Sequence, residues 1–372
     1  MKKLSEPCFC LVFLLMLLLP FLFSNFRHDQ VSEINNSYLP ELQWDTTTGI
    51  EDKVVDLENY LNMRIGFRDQ MLTMYQLFND RMFGLMEHPV YMYGKEGYVY
   101  FKYWSNLQDY QHLNLNHAFA EELADAMACF TELSAKHGAR FYYLLIPDKM
   151  TIYPEYMPDG LNVLGDVSRT DQVLACMRDR GVSCVYPYAA LLEAKQHELV
   201  FNVKYDAGHW NENGAFCGIC ELYRRLREDY PQIPMPEKDD YDIGTRHTSS
   251  LPVSRFPINE DVPQYTLRES TAVSELDWLR DQFSFTSETD YAERFVNPQK
   301  QDLPKLLLIH DSYFFGKEQY FTENFSEVTF IHRYNLLGPS VLENYLKTLQ
   351  PDIVVFENPE ASLETFHFDL TA

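Results

Sequence analysis

The chain has 372 residues, 46% of them hydrophobic and 23% charged, which is typical of a globular protein with room for one large domain and attached segments. Its formal net charge of −24 argues against a nucleic-acid-binding protein, because such a protein needs basic surface to displace the counterions of phosphates. The charge also disfavours a highly anionic polymer as substrate, although a local cleft can differ in sign from the whole molecule.

The first predicted element is an apolar N-terminal segment. Lys2 and Lys3 precede an apolar run at about 8–23, and positive charge before such a run places the N-terminus in the cytoplasm. The run is slightly long for a signal-peptide core, slightly short for a spanning helix, and followed by no small-x-small cleavage pattern. We therefore expect residues 1–24 to form an uncleaved signal anchor of a single-pass cell-membrane protein whose remainder is extracytoplasmic. The alternative is a cleaved signal peptide and a secreted protein.

The next two regions are expected to lead into the main domain. Residues 25–50 are polar and rich in turn-forming residues, which predicts a stalk. Within 51–116, apolar residues recur every three or four positions up to about residue 86, which predicts helices divided at 64–69. Two glycines flank a tight turn within 90–100, which predicts a strand, a turn and a second strand. We assign 51–116 to a helical entry and turn region.

From residue 117 onwards, predicted helices alternate with short strands rich in Val, Ile and Leu. The helices are predicted at about 117–137, 169–180, 213–229 and 340–349, and the strands at 141–146, 183–186, 305–309, 328–331 and 353–356. This order predicts an α/β domain over 117–372, with a mainly parallel sheet between two layers of helices. Residues 231–304 interrupt the pattern and are expected to be a functional insertion, either a cap beside the active site or a solvent-exposed decoration.

The seven cysteines predict neither a disulfide scaffold nor a metal site. Cys217 and Cys220 form a CxxC without a second pair of ligands, so we interpret them as small apolar residues one turn apart on a helix. His112 and His117 lack metal-site spacing. Walker, dinucleotide-binding, HExxH and GxSxG patterns are absent from the sequence. We therefore expect no metal and no cofactor.

One candidate catalytic segment contains Asp206 and His209. An aspartate and a histidine three residues apart on a loop before a helix can place the carboxylate against the imidazole Nδ1. That contact fixes the tautomer and leaves Nε2 free to act as a base. Gly208 is expected to give the loop the conformational freedom that this contact needs. The alternative is a capped helix with an incidental histidine.

A second candidate segment contains Asp311 and Ser312, which directly follow the buried strand predicted at 305–309. Ser312 is therefore expected at the carboxyl end of a parallel strand, where open α/β sheets bind their ligands. The backbone N–H groups of Ser312 and Tyr313 are candidate donors to an oxyanion. Serine needs a neighbouring base at neutral pH, and the pair in the first segment can supply it. The alternative is a serine that caps a helix.

Together these segments resemble the SGNH-like alginate O-acetyltransferase group and its DHHW relatives among bacterial extracytoplasmic proteins. The resemblance rests on Asp-Ala-Gly-His-Trp at 206–210, followed after the insertion by a strand that ends in Asp311 and Ser312. Four further segments are similar to those of the family and occur in its order: RIGFRD at 64–69, GKEGYVY at 94–100, IPDK at 146–149 and PDIVVFE at 351–357.

The resemblance implies an SGNH-hydrolase-like three-layer sandwich with a circularly permuted catalytic order, in which the acid and the base precede the nucleophile. Carried over by position, Ser312 is the nucleophile, His209 the general base and Asp206 its orienting partner. The sequence departs from the family at two points. His310 stands where glycine is usual, and two residues rather than one separate the aspartate from the histidine.

The activity implied by the resemblance is O-acetyl transfer to an exported polysaccharide through an acyl-serine, with a multi-pass membrane acyltransferase supplying the acyl group. Tyr313, Arg333, Tyr334 and Asn358 are further candidates for oxyanion or substrate contacts, with a surface or loop role as the alternative for the last three. Two other functions stay open. One is an esterase that removes acetyl groups; the other is a non-catalytic carbohydrate-binding or assembly protein with the same fold.

Overall fold

The computed structural model describes residues 2–28, 30–32, 34, 37–42, 44, 49–252, 256–285, 291–365 and 368. The chain divides into two compact units, the first made of residues 1–93 and 248–260 and the second of residues 94–247 and 261–372. The helices are α1 Lys2–Leu22, α2 Ile50–Arg64, α3 Arg68–Phe83, α4 Trp104–Tyr110, α5 His117–Lys136, α6 Lys149–Ile152, α7 Arg169–Asp179, α8 Tyr188–Ala194, α9 Glu212–Asp229, α10 Leu276–Gln282 and α11 Pro339–Leu349. The strands are β1 Val31–Ser32, β2 Ser37–Tyr38, β3 Tyr91–Tyr93, β4 Val99–Phe101, β5 Arg140–Ile146, β6 Cys184–Val185, β7 Tyr241–Ser250, β8 Pro257–Leu267, β9 Val273–Ser274, β10 Ala292–Val296, β11 Lys305–His310, β12 Glu327–His332 and β13 Ile353–Pro359.

The predicted membrane anchor is not supported. Residues 2–22 form helix α1, which contains Pro7 and Pro20. Among the described residues, no helix is both long enough and apolar enough to cross a membrane.

The rest of the first unit confirms the predicted division of the helical pattern at 64–69. Helix α2 ends at Arg64 and α3 begins at Arg68, and Phe67 between them has a left-handed backbone with φ 62°. The buried Arg64 guanidinium donates to the carbonyls of Asn25 and Arg27, so this arginine is a structural residue. The stalk predicted at 25–50 lies partly outside the described residues, and its described part contains the antiparallel pair β1–β2.

The second unit is built on a seven-stranded sheet with the order β6-β5-β13-β11-β12-β10-β9. The five strands from β6 to β12 are parallel, whereas β10 runs antiparallel to β12 and β9 antiparallel to β10. The predicted α/β fold with a mainly parallel sheet is therefore confirmed, and the sheet as a whole is mixed.

Alternating strand residues face two layers of helices. Helices α5, α7 and α11 pack on one face, where the core contains Leu123, Met127, Phe130, Phe141, Tyr143, Leu145, Val173, Met177, Leu307, Ile309, Leu342, Leu346, Val354 and Phe356. Helix α9 lies on the opposite face: Tyr142, the neighbour of Tyr143 along β5, donates its hydroxyl to Asp229 of α9 at 2.7 Å. Adjacent strand residues point to opposite faces, so this contact places a helical layer on each side of the sheet.

Residues 231–304 contribute strands that the sequence pattern did not predict. The pair β9 and β10 extends the sheet at one edge, and β7 with β8 forms a separate two-stranded sheet. Side chains of β7 and β8 are mostly exposed or half-buried, so these strands lack the strong apolar runs of the central sheet. Their low apolar content explains why periodicity did not reveal them.

Candidate active site

The loop before α9 carries the predicted acid and base. Asn211 caps α9 by accepting the Gly214 N–H at 3.0 Å, which fixes where the loop ends. Asp206 has a left-handed backbone with φ 57°, a conformation that aspartate tolerates better than most residues. Its Oδ1 accepts the backbone N–H of His209 at 3.1 Å. The loop is therefore folded around the Asp206 carboxylate.

Gly208 is required for a reason other than the predicted conformational freedom. Its backbone does not have a positive φ. A Cβ at this position would lie 2.4 Å from Cε2 of Phe101, which is far closer than van der Waals contact. The absence of a side chain therefore allows the aromatic ring to pack against the loop.

The second segment places Ser312 just beyond the sheet. Strand β11 ends at His310, and Ser312 begins a short 3-10 helix, Ser312–Phe314. This position is at the carboxyl end of a parallel strand, as the sequence predicts. The Asp311 side chain accepts the Ser312 N–H at 2.6 Å and caps this turn.

The structure brings the three predicted residues together. The Oγ of Ser312 lies 2.9 Å from Nε2 of His209, and Nδ1 of His209 lies 2.8 Å from both carboxylate oxygens of Asp206. With Nδ1–H donating to the carboxylate, Nε2 is left to accept the serine proton. Residues about a hundred positions apart in the chain thus form a serine–histidine–aspartate arrangement with hydrogen-bond geometry.

The electrostatics of the pair favour a charged aspartate and a basic imidazole. Burial alone would raise the pKa of Asp206, but the His209 ring and two backbone N–H groups lower it below its ordinary value. Burial alone would lower the pKa of His209, but the Asp206 carboxylate raises it above 6.5. Neighbouring opposite charge therefore outweighs desolvation at both groups.

Two hydrogen bonds join the histidine loop to the serine turn. The indole Nε1 of Trp210 donates to the Tyr313 carbonyl at 3.0 Å, and the Tyr313 hydroxyl donates to the Gly208 carbonyl at 2.7 Å. The Tyr313 ring also lies 4.7 Å from the His209 ring. We call these two bonds the Trp210–Tyr313 clamp. They flank the contact between His209 and Ser312 and restrict the relative movement of the two segments.

The backbone donors near Ser312 are not equivalent. The Ser312 N–H is engaged by Asp311, so it is not available to an oxyanion in this conformation. The Tyr313 N–H makes no hydrogen bond to any residue that the structure describes. Of the two predicted oxyanion donors, the amide of Tyr313 is therefore the one with an unused proton.

Arg333 and Asn358 lie in a buried network behind the serine turn. Arg333 donates to the Asp311 carboxylate at 2.9 Å and also donates to the Asn358 side chain. Burial would raise the pKa of Asp311, but the Arg333 guanidinium and hydrogen bonds hold it below its usual value. Tyr334 packs its ring 4.8 Å from that of His332. The described residues that line the cavity beside Ser312 and His209 do not include Arg333, Tyr334 or Asn358.

His310, the departure from glycine, is fully buried and is not among the described residues that line the cavity beside Ser312 and His209. Its Nδ1 donates to the Asp311 carbonyl at 2.8 Å, and its ring contacts those of Tyr291 and Phe315. Burial lowers the pKa of His310 to about 4, so the imidazole is neutral. The extra bulk is accommodated in an aromatic environment and leaves the serine accessible.

The buried Lys149 of the IPDK segment supports the histidine loop. Its ammonium donates to the carbonyls of Val99 at 2.8 Å and Val203 at 3.1 Å. Val203 lies three residues before Asp206, so this lysine fixes the start of the catalytic loop. In the sequence, the only indication of this role was a lysine three residues after a buried strand. Its partners are backbone carbonyls, which no sequence pattern identifies.

The triad opens into a cavity of about 350 Å³, which we call the triad cavity. Its lining includes residues that the sequence did not identify, namely Tyr205, Glu212, Arg246, Val262, Pro263, Phe315 and Lys317. Arg246 lies on β7, and Val262 and Pro263 lie on β8. Part of the predicted insertion therefore forms a wall of this cavity.

No cluster of three or more His, Cys, Asp or Glu side chains with metal-binding geometry occurs among the described residues. Cys217 and Cys220 both lie on α9, as the sequence predicted for a helical CxxC. Burial raises the pKa of each thiol to about 11, so both are protonated at neutral pH.

Part of the chain matches the model of a known protein family. Residues 94–254 match the family model of the SGNH hydrolase-like domain, acetyltransferase AlgX. The predicted resemblance to this family is confirmed. The matched segment contains Asp206 and His209 and ends before Ser312. No curated protein matches the chain.

Several solved structures resemble the chain. Bacillus cereus PatB1 with a sulfonyl adduct is 12% identical with a TM-score of 0.54, and the alignment covers 74% of this chain and 96% of PatB1. A DHHW family protein from Eubacterium siraeum is 15% identical with a TM-score of 0.49, covering 67% and 90%. The O-acetyltransferase domain of Pseudomonas putida AlgJ is 16% identical with a TM-score of 0.49, covering 76% and 95%. At these identities the likeness to PatB1 shows a shared fold.

Proposed function

We propose that the protein is an O-acetyltransferase that transfers acetyl groups to hydroxyls of an exported polysaccharide through an acyl-serine intermediate. The observation that carries this proposal is the hydrogen-bonded series from Ser312 Oγ through His209 to the Asp206 carboxylate. It lies at the carboxyl end of the sheet and opens into a cavity. The match to an acetyltransferase family model over 94–254 supports acetyl as the transferred group.

In the first step, Nε2 of His209 accepts the hydroxyl proton of Ser312 while Oγ attacks the carbonyl carbon of an acetyl ester. The Tyr313 N–H directly follows Ser312 and makes no hydrogen bond to a described residue, so it is the candidate donor to the negative oxygen that forms. The tetrahedral intermediate then collapses, the bond to the leaving oxygen breaks, and His209 returns the proton to that oxygen. Ser312 is left as its acetyl ester.

In the second step, a sugar hydroxyl takes the place of the departed alcohol. Nε2 of His209 accepts its proton, the hydroxyl oxygen attacks the acetyl-serine, and collapse of the second intermediate restores Ser312 Oγ–H. Asp206 stays ionised throughout and stabilises the imidazolium that forms in each step, consistent with its lowered pKa. If water is the attacking molecule, the same steps describe an esterase.

The two departures from the family pattern are compatible with catalysis. The His310 side chain is buried away from the triad cavity, so it does not obstruct Ser312. The two residues between Asp206 and His209 form a tight loop in which Asp206 contacts both the backbone and the ring of His209. These contacts favour the enzymatic function over a non-catalytic binding or assembly protein that retained the fold.

We also propose where the enzyme acts and how the acetyl group reaches it. The enzyme acts outside the cytoplasm, where no coenzyme A pool exists, so the acyl group must be delivered across the membrane. A multi-pass membrane acyltransferase is the proposed partner for this delivery. Both proposals rest on the family resemblance rather than on a contact within the chain.

A labelling and transfer assay tests the function. The full chain is treated with phenylmethanesulfonyl fluoride and, separately, with 4-nitrophenyl acetate plus a neutral oligosaccharide, and protein and sugar are measured by mass spectrometry. We expect sulfonylation and sugar acetylation with the wild type and with Ser168→Ala, whose hydroxyl caps α7, but neither with Ser312→Ala. Free acetate without acetylated sugar would favour the esterase. Undiminished acetylation by Ser312→Ala would refute the acyl-serine.

A further inference from the structure

Arg246 differs from the other charged residues of the triad cavity, because each of these makes a side-chain hydrogen bond with another described residue. Asp206 binds the His209 ring, and Glu212 accepts hydrogen bonds from Lys317 and from the Tyr320 hydroxyl. Lys317 and Glu212 thus neutralise each other in a contact that is largely withdrawn from water.

The Arg246 guanidinium has no such partner. It lies 5.2 Å from the centre of the Tyr205 ring, which is a cation–π contact. It makes no ion pair or hydrogen bond with a residue that the structure describes. Arg268 at the end of the same hairpin provides a contrast, because it is paired with Asp242 at 2.8 Å.

This unbalanced cation is notable in so acidic a protein. The chain has 55 acidic and 31 basic residues, and Arg246, which is exposed to solvent, lines the triad cavity without a carboxylate partner among the described residues. A positive group in a cleft concentrates anionic ligands even when the whole protein is negative. A preference for an anionic ligand at this arginine is therefore compatible with the negative net charge of the whole chain.

We propose that Arg246 binds an anionic group, a carboxylate or a phosphate, on the molecule that delivers or receives the acetyl group. This inference rests on the proposed function, and it adds that the acetyl donor or the acetyl acceptor carries a negative charge. The planar guanidinium can donate two parallel hydrogen bonds to either kind of oxyanion, which a lysine cannot do. Arg246 is then a specificity-determining residue, and the proton transfers remain with His209.

The test compares two acetyl donors, 4-acetoxybenzoate and its methyl ester. The first carries a negatively charged carboxylate, and the second carries an uncharged ester at the same position. From the usual contribution of a hydrogen bond to a charged group, we expect Arg246→Gln to lower kcat/KM for 4-acetoxybenzoate about tenfold to a hundredfold. The value of kcat/KM for the methyl ester should not change. Arg246→Lys should retain part of the preference. Arg268→Gln, which removes the same charge from the same hairpin, should leave both substrates at wild-type rates.

The acceptor arm uses the methyl ester as the donor and compares methyl glucuronoside with methyl glucoside. If Arg246→Gln selectively loses transfer to the glucuronoside, the anionic group lies on the acceptor. If it selectively loses reaction with 4-acetoxybenzoate, the anionic group lies on the donor. Either result supports the proposal. Equal effects on charged and neutral molecules in both arms, or no effect, would overturn it.

A binding measurement separates this proposal from the acyl-serine mechanism. Saturation-transfer NMR on Ser312→Ala compares 4-acetoxybenzoate with its methyl ester in the absence of turnover. Preferential binding of the anion that disappears in Ser312→Ala/Arg246→Gln and weakens with added salt supports the anion site, even if Ser312 proves not to be a nucleophile. Equal binding of both esters would refute the site while leaving the proposed reaction intact.

Discussion

Replacing Tyr313 with phenylalanine tests whether the Trp210–Tyr313 clamp serves catalysis. The change removes one hydroxyl that donates to the Gly208 carbonyl at 2.7 Å and keeps the ring that contacts His209. Tyr345→Phe is the matched control, because its hydroxyl also donates to a backbone carbonyl, that of Asn335 at 2.9 Å. Both tyrosines are 4% exposed, so the two substitutions remove buried hydrogen bonds of the same kind.

The expected magnitude follows from the unsatisfied carbonyl. Leaving a buried acceptor without its donor costs about 1–3 kcal/mol, and this should reduce the free energy of unfolding by a similar amount in both variants. At Tyr313 the cost falls on the loop that holds His209, because the Gly208 carbonyl precedes that residue directly. If all of this free energy is lost from the conformation in which His209 can accept the serine proton, kcat decreases about 5- to 150-fold.

The assay combines denaturant unfolding with steady-state turnover of 4-nitrophenyl acetate. We expect Tyr313→Phe and Tyr345→Phe to lose similar stability, whereas only Tyr313→Phe loses kcat. Equal kcat values for the two variants would refute the catalytic role of the clamp and leave Tyr313 as a core residue. An increase in KM alone for Tyr313→Phe would also contradict the argument, because loss of the hydroxyl is expected to displace the base rather than to weaken substrate binding.

Two further predictions concern the loop that carries the base. Because the Asp206 carboxylate raises the pKa of His209 above 6.5, and the base acts in its neutral form, kcat/KM should rise with pH through an acid limb above 6.5. Asp206→Asn should move that limb to lower pH and reduce kcat by about 10⁴, as measured from a pH–rate profile; an unmoved limb would contradict the assignment. Gly208→Ala should lower stability by about 1–3 kcal/mol, because the added Cβ meets the Phe101 ring. Gly208→Ala combined with Phe101→Leu should recover most of the loss in thermal unfolding, and no recovery would show that the strain lies elsewhere.

The sequence determined the central sheet and the three triad residues. Apolar runs such as 306–309 and 353–356 are buried on both faces, so their composition alone indicates parallel strands between helices. Asp206 and His209 are separated by only two residues, and Ser312 directly follows a predicted strand, so local spacing was enough to nominate them. The helix predicted at about 213–229 is α9, Glu212–Asp229, in the structure, because capping and apolar periodicity are also local properties.

Only the tertiary structure decided what surrounds these residues. The Trp210–Tyr313 clamp, the use of the Ser312 N–H by Asp311, and the position of Arg246 in the triad cavity depend on contacts between distant segments. Strands β7 and β8 are mostly exposed, so they lack the apolar pattern that reveals a buried strand. Hydrophobic periodicity records which side chains leave water, whereas the partner of a polar group is fixed by where the folded chain brings it.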